Sequence, residues 1–293
     1  MLINKKEIMF SVIIPNFNRE KSIVNAIRSV LAQNYSKFEL IIVDDCSTDN
    51  SIENISSFSD SRIRVLNFKE NSGVAAARNF GIKNSKGDFI SLLDSDDYYD
   101  PFFLEESLKT LESAPEGAGF MWTGVRYIEQ GEKSEFFWKP AKRDSAYLTF
   151  LHSLHIGTNS GITIKKEVFQ TCGYFNESLP AAEDTDFFLR ITQKFDFTSN
   201  SKILINIERD KNDRLSKNFE KIGLAYNSFI TPHLEVINQD KSLQLKFYYK
   251  LMWLNFNLKE KEKARYFYKK IPRVWNLGKF RSLITRLIYE IFP

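Results

Sequence analysis

Short apolar runs alternate with segments of helical spacing over the first hundred residues, and this alternation constrains the fold more than any other feature. The runs are rich in β-branched and aromatic residues, which favour strands, and they cover residues 10–14, 39–43, 62–68 and 88–93. Helical spacing covers residues 22–33 and 74–84, and Ser47 or Thr48 is the expected N-cap of a helix between the second and third strands. Strands that alternate with helices in this way indicate βαβ units and a parallel sheet, so the predicted class is α/β.

Polar residues directly follow three of these strands. Asn16 and its neighbours follow the first, Asp44 and Asp45 follow the second, and an acidic group from Asp94 to Asp97 follows the fourth. Ligands of open α/β sheets bind beyond the carboxyl ends of the strands. We therefore expect the three groups to meet at one edge of the sheet and to form a ligand site.

The acidic group Asp94-Ser95-Asp96-Asp97 is a candidate metal site. Carboxylates at positions i and i+2 after a strand can both approach one cation, and Mg²⁺ or Mn²⁺ takes oxygen ligands that it shares between carboxylates and substrate phosphates. The alternative is a solvated turn in which an aspartate caps a helix. An EF-hand loop is rejected because Tyr99 occupies the position that needs glycine.

Four further residues each allow a functional and a structural interpretation. Asp45 can accept hydrogen bonds from a base or a ribose, or can cap a turn, and Phe17 can stack on a base or fill the core. Arg78 can contact a phosphate or form an internal ion pair. Asp184, beside Glu183 at the start of a predicted helix, can act as a general base or can interact favourably with the helix dipole.

Several enzyme classes lose support because their motifs are missing. The sequence has no G-x-G-x-x-G, no G-x-x-x-x-G-K-[ST] and no G-x-S-x-G, which argues against dehydrogenases, P-loop proteins and α/β-hydrolases. With two cysteines the chain cannot form a disulfide scaffold, and with three histidines a multi-histidine metal site is not expected. Since no signal-peptide apolar region or long apolar span is found, the expected location is cytoplasmic.

The charge is distributed unevenly along the chain. The net charge of +4 combines a net −6 over residues 1–240 with a net +10 over residues 241–293, where basic residues are interleaved with Phe, Tyr and Trp. Such a helical tail suits an anionic membrane surface, and the equal alternative is a helical subdomain that packs its aromatic residues on the core or on a second subunit. No nucleic acid is expected as a partner, because the body is acidic and lacks a binding motif.

The motifs taken together resemble the family-2 glycosyltransferases. The resemblance rests on residues 11–19, 29–35, 38–49, 71–81 and 87–97, and it resumes at residues 173–177 and 182–190. It is nearly continuous over residues 10–105 and does not cover the tail beyond about residue 216. It implies a GT-A nucleotide-binding fold with a mostly parallel central sheet flanked by helices, to which this chain adds a C-terminal helical extension.

The resemblance also implies an activity and a division of the chain. The activity is transfer of a sugar, with inversion, from a nucleotide-sugar, usually a UDP-sugar, to a hydroxyl of a glycan or lipid-linked acceptor, in surface polysaccharide synthesis at the inner face of the membrane. The glycosyltransferase domain would span residues 1–215, with a donor half up to about 105 and an acceptor half from 106. Residues 216–293 would form the basic helical region.

The site residues implied by the resemblance are carried over by position. Phe17 would stack on the nucleotide's base, and Asp45 would hydrogen-bond that base. Asp184 would be the catalytic general base. Asp94 and Asp96 would bind Mn²⁺ or Mg²⁺, with Asp96 the main ligand. The nucleotide-binding set as a whole is Pro15, Phe17, Asn18, Asp45, Arg78, Asp94 and Ser95.

One segment departs from the family pattern. A histidine that approaches the diphosphate is common after the last strand, but residues 207–216 have none, and Arg209, Lys211 or Arg214 are the candidate replacements. Residues 157–161 are expected to line the acceptor pocket. Two other functions stay open on the same fold: a sugar-phosphate nucleotidyltransferase, and a non-catalytic subunit that binds a sugar nucleotide or a glycan.

Overall fold

A computed structural model describes residues 7–129, 131–153, 159–208 and 218–272. The chain forms two compact units, one made of residues 1–177 and 184–212, the other of residues 178–183 and 213–293. The short segment 178–183 therefore leaves the first unit and groups with the C-terminal helices, which the sequence did not predict. The donor and acceptor halves of the first unit stay a prediction.

The first unit begins with four parallel strands. They are β1 (Phe10–Asn16), β2 (Phe38–Asp44), β3 (Ile63–Asn67) and β4 (Phe89–Leu92), in the order β3-β2-β1-β4. The helices between them are α1 (Ile23–Leu31), α2 (Ser51–Ser56) and α3 (Val74–Lys83). The predicted strands and parallel pairing are confirmed here.

The N-cap prediction for the second helix was wrong. Helix α2 begins at Ser51 with Asn50 as its N-cap, not at Ser47 or Thr48. The physical reason is a competing interaction, because the Ser47 hydroxyl donates to Asp44 Oδ1 at 2.6 Å and accepts the amide of Asn18 at 3.0 Å. The capping pattern is local in sequence, so it cannot predict that the Ser47 hydroxyl bonds to Asn18 in the loop after β1.

The sheet becomes mixed beyond β4. It continues through β5 (Asp97–Tyr99), β6 (Ala118–Glu129), β7 (Glu132–Phe136), β8 (Ile162–Lys165) and β9 (Asp196–Glu208), and in the described residues the order is β3-β2-β1-β4-β8-β6-β9-β5 with β7 on β6. Strand β8 is antiparallel to β4 and β6, whereas β6 and β9 are parallel. The accompanying helices are α4 (Phe103–Glu112), α5 (Ala146–Ser153), α6 (Lys166–Cys172) and α7 (Glu183–Ile191). The predicted α/β class is confirmed, and the parallel pairing is concentrated in the first half.

Burial explains why these segments fold as they do. Every residue of β1 and β2 is buried, as continuous apolar runs of parallel strands require. Helix α1 buries Ile23, Ala26, Ile27 and Val30 along one face, and each large apolar side chain of this kind stabilises the fold by about 1.5–3 kcal/mol. Helix α3 instead uses small residues, and a Cβ on Gly81 would lie 2.5 Å from Cγ2 of Ile13, so this helix lies very close to β1.

The order of strands reverses at β1, which has β2 on one side and β4 on the other. Strand β4 pairs with β1 only from Phe10 to Ile13, whereas β2 pairs along the whole of β1. Pro15, which has no amide hydrogen, lies beyond the end of the β4 pairing, where that hydrogen is not needed. The carboxyl ends of β1 and β4 thus form the topological switch point at which α/β sheets bind ligands.

The second unit is helical over its described part. It contains α8 (Phe219–Phe229), a 3₁₀ turn (Thr231–His233), α9 (Leu234–Gln239), α10 (Lys241–Asn257) and α11 (Lys261–Lys270). Helix α10 packs against α8 and α11, and Asn255 of α10 exchanges two hydrogen bonds with Asn227 of α8, at 2.8 and 2.9 Å. The predicted helical tail is confirmed over residues 218–272, and Trp275 and Gly278 lie outside the described residues.

The aromatic residues of the second unit are partly buried and partly exposed. Phe247, Tyr248 and Phe267 are buried, as the packing alternative requires. Tyr266 and Tyr268 on α11 are exposed, 54% and 36% respectively. Across residues 7–129, 131–153, 159–208 and 218–272, no helix combines the length and apolar character that crossing a membrane requires.

Candidate active site

The loop after β1 is tied to the loop after β2. The buried Asn16 donates from Nδ2 to Asp44 Oδ1 at 2.8 Å, and Asn18, in the left-handed conformation with φ 51°, accepts the amide of Thr48 at 2.8 Å. Phe17 between them is 43% exposed, so it is not a core residue. The Oδ1 atom of Asn16 is buried and has no hydrogen-bond partner within the described residues, which is uncommon for a buried polar atom.

Asp45 holds the turn that precedes α3. Its Oδ1 accepts the amide of Ser72 at 2.7 Å and its Oδ2 accepts the amide of Gly73 at 2.8 Å. Gly73 has φ +90°, a conformation that suits glycine. The structural interpretation of Asp45 accounts for these two bonds, and because a carboxylate has about four acceptor positions, it can still accept from a ligand.

The acidic residues after β4 form a tight turn that faces solvent on one side. The amide of Asp97 donates to the carbonyl of Asp94 at 3.1 Å, while the Ser160 hydroxyl accepts the amide of Asp94 at 2.9 Å and donates to Asp97 Oδ2 at 2.5 Å. Ser95 and Asp97 are buried, whereas the side chains of Asp94 and Asp96 are 30% and 46% exposed. Asp97 therefore supports the turn, and Asp94 and Asp96 carry the outward carboxylates.

Each outward carboxylate has an arginine beside it. The buried Arg78 of α3 donates from Nη2 to Asp94 Oδ1 at 2.7 Å, the internal ion pair that the sequence allowed. Arg19, from the loop after β1, places Nε 3.5 Å from Asp96 Oδ2. Arg19 was not among the predicted site residues, and Ser160 was predicted only as part of the acceptor loop, because their partners at this turn are distant in sequence.

The donor set fits a divalent cation that shares its ligands with phosphate. Within the part of the chain that the structure describes, no group of three or more His, Cys, Asp or Glu side chains is arranged to hold a metal. Asp94 and Asp96 offer carboxylate oxygens from a single turn. Mg²⁺ is commonly bound by one or two carboxylates together with substrate phosphates rather than by an all-protein cage, so the two residues fit that group.

Asp184 lies in the first turn of α7, half-buried, and its Oδ1 accepts the amide of Thr185 at 2.6 Å. Helix α7 is anchored further along by Arg190. That guanidinium donates to Asp186 Oδ2 at 2.9 Å and to the carbonyls of Cys172 and Tyr174, both at 2.7 Å. The segment before α7 is therefore attached to the helix that carries Asp184.

Asn79, next to Arg78 on α3, attaches the same segment from the other side. Its Nδ2 donates to the carbonyl of Phe175 at 2.8 Å and to Glu177 Oε1 at 2.7 Å, and its Oδ1 accepts the amide of Phe175 at 3.0 Å. Asn79 was not among the predicted site residues, although its place in Ala76-Ala77-Arg78-Asn79, within the residues 71–81 that carry the resemblance, was a signal. Helix α3 thus joins the turn after β4 to residues 172–177.

Two predicted segments fall wholly or partly outside the described residues. Arg209, Lys211 and Arg214 lie outside them, as do residues 157 and 158 of the loop expected at the acceptor pocket. Of that loop, Asn159, Ser160 and Gly161 are described. Ser160 contacts the acidic turn, so this part of the loop lies against the candidate metal residues.

The family model and the relatives with known names point to the same family. Residues 11–173 match the protein family described as Glycosyl transferase family 2. An uncharacterized glycosyltransferase of Haemophilus influenzae is 27% identical over 285 residues, covering 96% of each chain. One of Rickettsia felis is 30% identical over 76% of this chain and 38% of its own length. A putative teichuronic acid biosynthesis glycosyltransferase of Bacillus subtilis, TuaG, is 36% identical over 42% of this chain and 48% of its own.

Solved structures share the fold at low sequence identity. TarS of S. aureus, crystallised with UDP-GlcNAc, superposes with a TM-score of 0.68 at 20% identity, over 90% of this chain and 82% of the other. The mannosyltransferase PcManGT of Pyrobaculum calidifontis, in complex with GDP-Man and Mn²⁺, gives 0.60 at 15% identity, over 97% and 81%. These likenesses confirm the predicted GT-A fold.

Proposed function

The chain belongs to glycosyl transferase family 2, and from that premise we propose that it is a metal-dependent, inverting glycosyltransferase that uses a UDP-sugar. The observation that carries the proposal is the position of Asp94 and Asp96. Their carboxylates face solvent from one turn at the switch point of the sheet, beside the loop that exposes Phe17. A nucleotide base and a diphosphate need such a pair of neighbouring surfaces.

Several features support nucleotide binding by the loops after β1 and β2. The exposed ring of Phe17 is available to stack on a base, and the Asp45 carboxylate has acceptor positions left for the N–H of uracil. Pro15 and Asn18 shape this loop, and Ser95 lies within the acidic turn. The structure of TarS with UDP-GlcNAc supports the choice of UDP, because that protein shares this fold.

Asp94 and Asp96 would hold Mn²⁺ or Mg²⁺, which stabilises the negative charge of a departing diphosphate. The complex of PcManGT with Mn²⁺ supports this part of the proposal. Arg78 keeps the Asp94 carboxylate in place through the 2.7 Å ion pair, and Ser160 keeps the turn closed. The chain thus provides a fixed pair of oxygen ligands at the diphosphate side.

Asp184 is proposed as the general base. It would take the proton of the acceptor hydroxyl while that oxygen bonds to the anomeric carbon and the bond from this carbon to the diphosphate oxygen breaks. General-base catalysis of this kind is worth about 10²–10⁴-fold in rate. Because attack and departure are on opposite faces of the sugar, one displacement inverts the anomeric configuration.

The acceptor is proposed to be a glycan or a lipid-linked glycan in surface polysaccharide synthesis, bound by the half that begins near residue 106. The name of the Bacillus subtilis relative supports this class of product. The exposed face of α11, with Lys261, Arg265, Tyr266 and Lys269, supports a peripheral contact with anionic lipids of the cytoplasmic leaflet.

Calorimetric titration with UDP, with and without Mn²⁺, tests the proposal. We expect UDP binding that depends on Mn²⁺ in the wild type and is lost in Asp96→Asn, with transfer activity lower by about 10²-fold or more. The matched control is Asp60→Asn, an aspartate paired with Arg62 beside the opposite end of the sheet. In the transfer assay, release of UDP identifies a glycosyltransferase, whereas release of pyrophosphate identifies a nucleotidyltransferase. Unchanged Mn²⁺-dependent UDP binding in Asp96→Asn would refute the assigned site.

A further inference from the structure

The ion pair between Arg19 and Asp96 lies across the switch point. Arg19 comes from the loop after β1, and Asp96 from the turn after β4, and the pairing of these two strands ends at Ile13, before the carboxyl end of β1. A ligand bound at this point therefore meets both side chains. The function proposed above uses Asp96 and leaves Arg19 without a role.

Each of the two outward carboxylates of this turn is paired with an arginine before any ligand binds. Asp94 and Asp96 contribute two negative charges, and Arg78 and Arg19 contribute two positive charges, each within 3.5 Å of one carboxylate. Asp97, buried in the same turn, adds a third carboxylate, but a divalent cation that arrives alone still brings more positive charge than this one carboxylate offsets. A nucleoside diphosphate removes that excess, because its phosphates carry two or more negative charges.

The two arginines differ in how firmly they are held. Arg78 is buried, with its guanidinium 5.7 Å from the ring of Phe175 and 2.7 Å from Asp94. Arg19 is 34% exposed and its contact with Asp96 is longer, at 3.5 Å, while its backbone amide is fixed by the Ser51 hydroxyl at 3.0 Å. Such long, half-exposed ion pairs are weak, whereas a guanidinium binds phosphate through two parallel hydrogen bonds.

We propose that Arg19 is a phosphate-binding residue that pairs with Asp96 in the nucleotide-free protein and transfers to the diphosphate of the donor when the donor binds. The transfer frees the Asp96 carboxylate for the divalent cation. Cation and nucleoside diphosphate therefore bind cooperatively, and the cation binds weakly alone. This inference rests on the proposed function, since it assumes a nucleoside diphosphate at this site.

The test uses Arg19→Gln and two titrations that need no turnover. The first follows Mn²⁺ binding to the nucleotide-free protein by electron paramagnetic resonance. The second follows UDP binding at saturating Mn²⁺ by calorimetry. We expect opposite changes: Mn²⁺ alone binds several-fold more tightly to the variant, because a competing positive charge is gone, and UDP binds about tenfold or more weakly, because a charged hydrogen bond is lost.

Arg62→Gln is the matched control, since Arg62 is 31% exposed and pairs with Asp60 away from the site. Arg19→Lys is a second variant that keeps the charge, and we expect its Mn²⁺ binding to stay near that of the wild type while UDP binding falls. If the wild type binds UDP with Mn²⁺ and Arg19→Gln matches it in both titrations, the inference alone is overturned. If the wild type binds no UDP, the assigned donor fails and the inference fails with it.

Discussion

Replacing Asn79 with alanine removes the side chain that joins α3 to the segment before α7. Three hydrogen bonds are lost, two of them to the backbone of the buried Phe175 at 2.8 and 3.0 Å. The bond to Glu177 contributes about 1 kcal/mol net, and leaving the buried amide and carbonyl of Phe175 unpaired costs about 1–3 kcal/mol each. We therefore expect Asn79→Ala to lower the free energy of unfolding by about 3–7 kcal/mol, a large share of the roughly 5–15 kcal/mol typical of a native protein.

Urea denaturation gives the change in stability, and hydrogen exchange of residues 172–177 shows where it acts, because the chain has two compact units. Asn84→Ala is a matched control at the end of α3, where Asn84 Nδ2 makes one hydrogen bond, 2.8 Å from the carbonyl of Phe80, and we expect a loss below about 1 kcal/mol. Asn79→Asp, which places a carboxylate against Glu177, should also be destabilised. Equal losses in the Asn79→Ala and Asn84→Ala variants, with unchanged exchange at 172–177, would refute the reasoning.

Two further predictions concern Glu39 of β2 and the basic residues of α11. Burial raises the pKa of Glu39, but hydrogen bonds from Ser11, from the amide of Lys86 and from Arg64 outweigh it and leave the pKa below the usual 4.5. Glu39→Gln should therefore destabilise the protein at pH 7. The difference in urea midpoint between the wild type and this variant should shrink as the pH falls below 4.5. A difference that does not change with pH would contradict this. On α11, reversing the charges of Lys261, Arg265 and Lys269 should weaken binding to vesicles that contain phosphatidylserine by about 10²-fold or more, at roughly 1 kcal/mol per basic residue, and leave binding to neutral vesicles unchanged. Equal binding of both proteins to the anionic vesicles would remove the membrane contact from the proposed function.

The sequence predicted the first half of the sheet well because the information there is local. Strands β1 and β2 consist of continuous apolar runs, and their parallel direction follows from the helix between them. The second half depends on distant contacts. Strand β8 runs antiparallel between β4 and β6, and nothing in the four residues Ile162–Lys165 specifies these neighbours.

The same distinction applies to the candidate site. Asp94 and Asp96 were recognisable because they follow a buried strand in the sequence itself. Their partners Arg19 and Ser160 belong to other loops, so only the folded chain brings them to the turn. Asn18 was predicted to bind nucleotide, and its amide oxygen accepts from Thr48, a structural interaction that a motif does not reveal.

The close contact between α3 and β1 has a consequence for engineering the candidate site. Arg78 and Asn79 are consecutive on α3, yet one side chain reaches the turn after β4 and the other reaches Phe175. Both contacts depend on the position of the helix along β1, which is set where Gly81 lies against Ile13. An insertion or deletion within α3 would therefore rotate both side chains away from their partners at once.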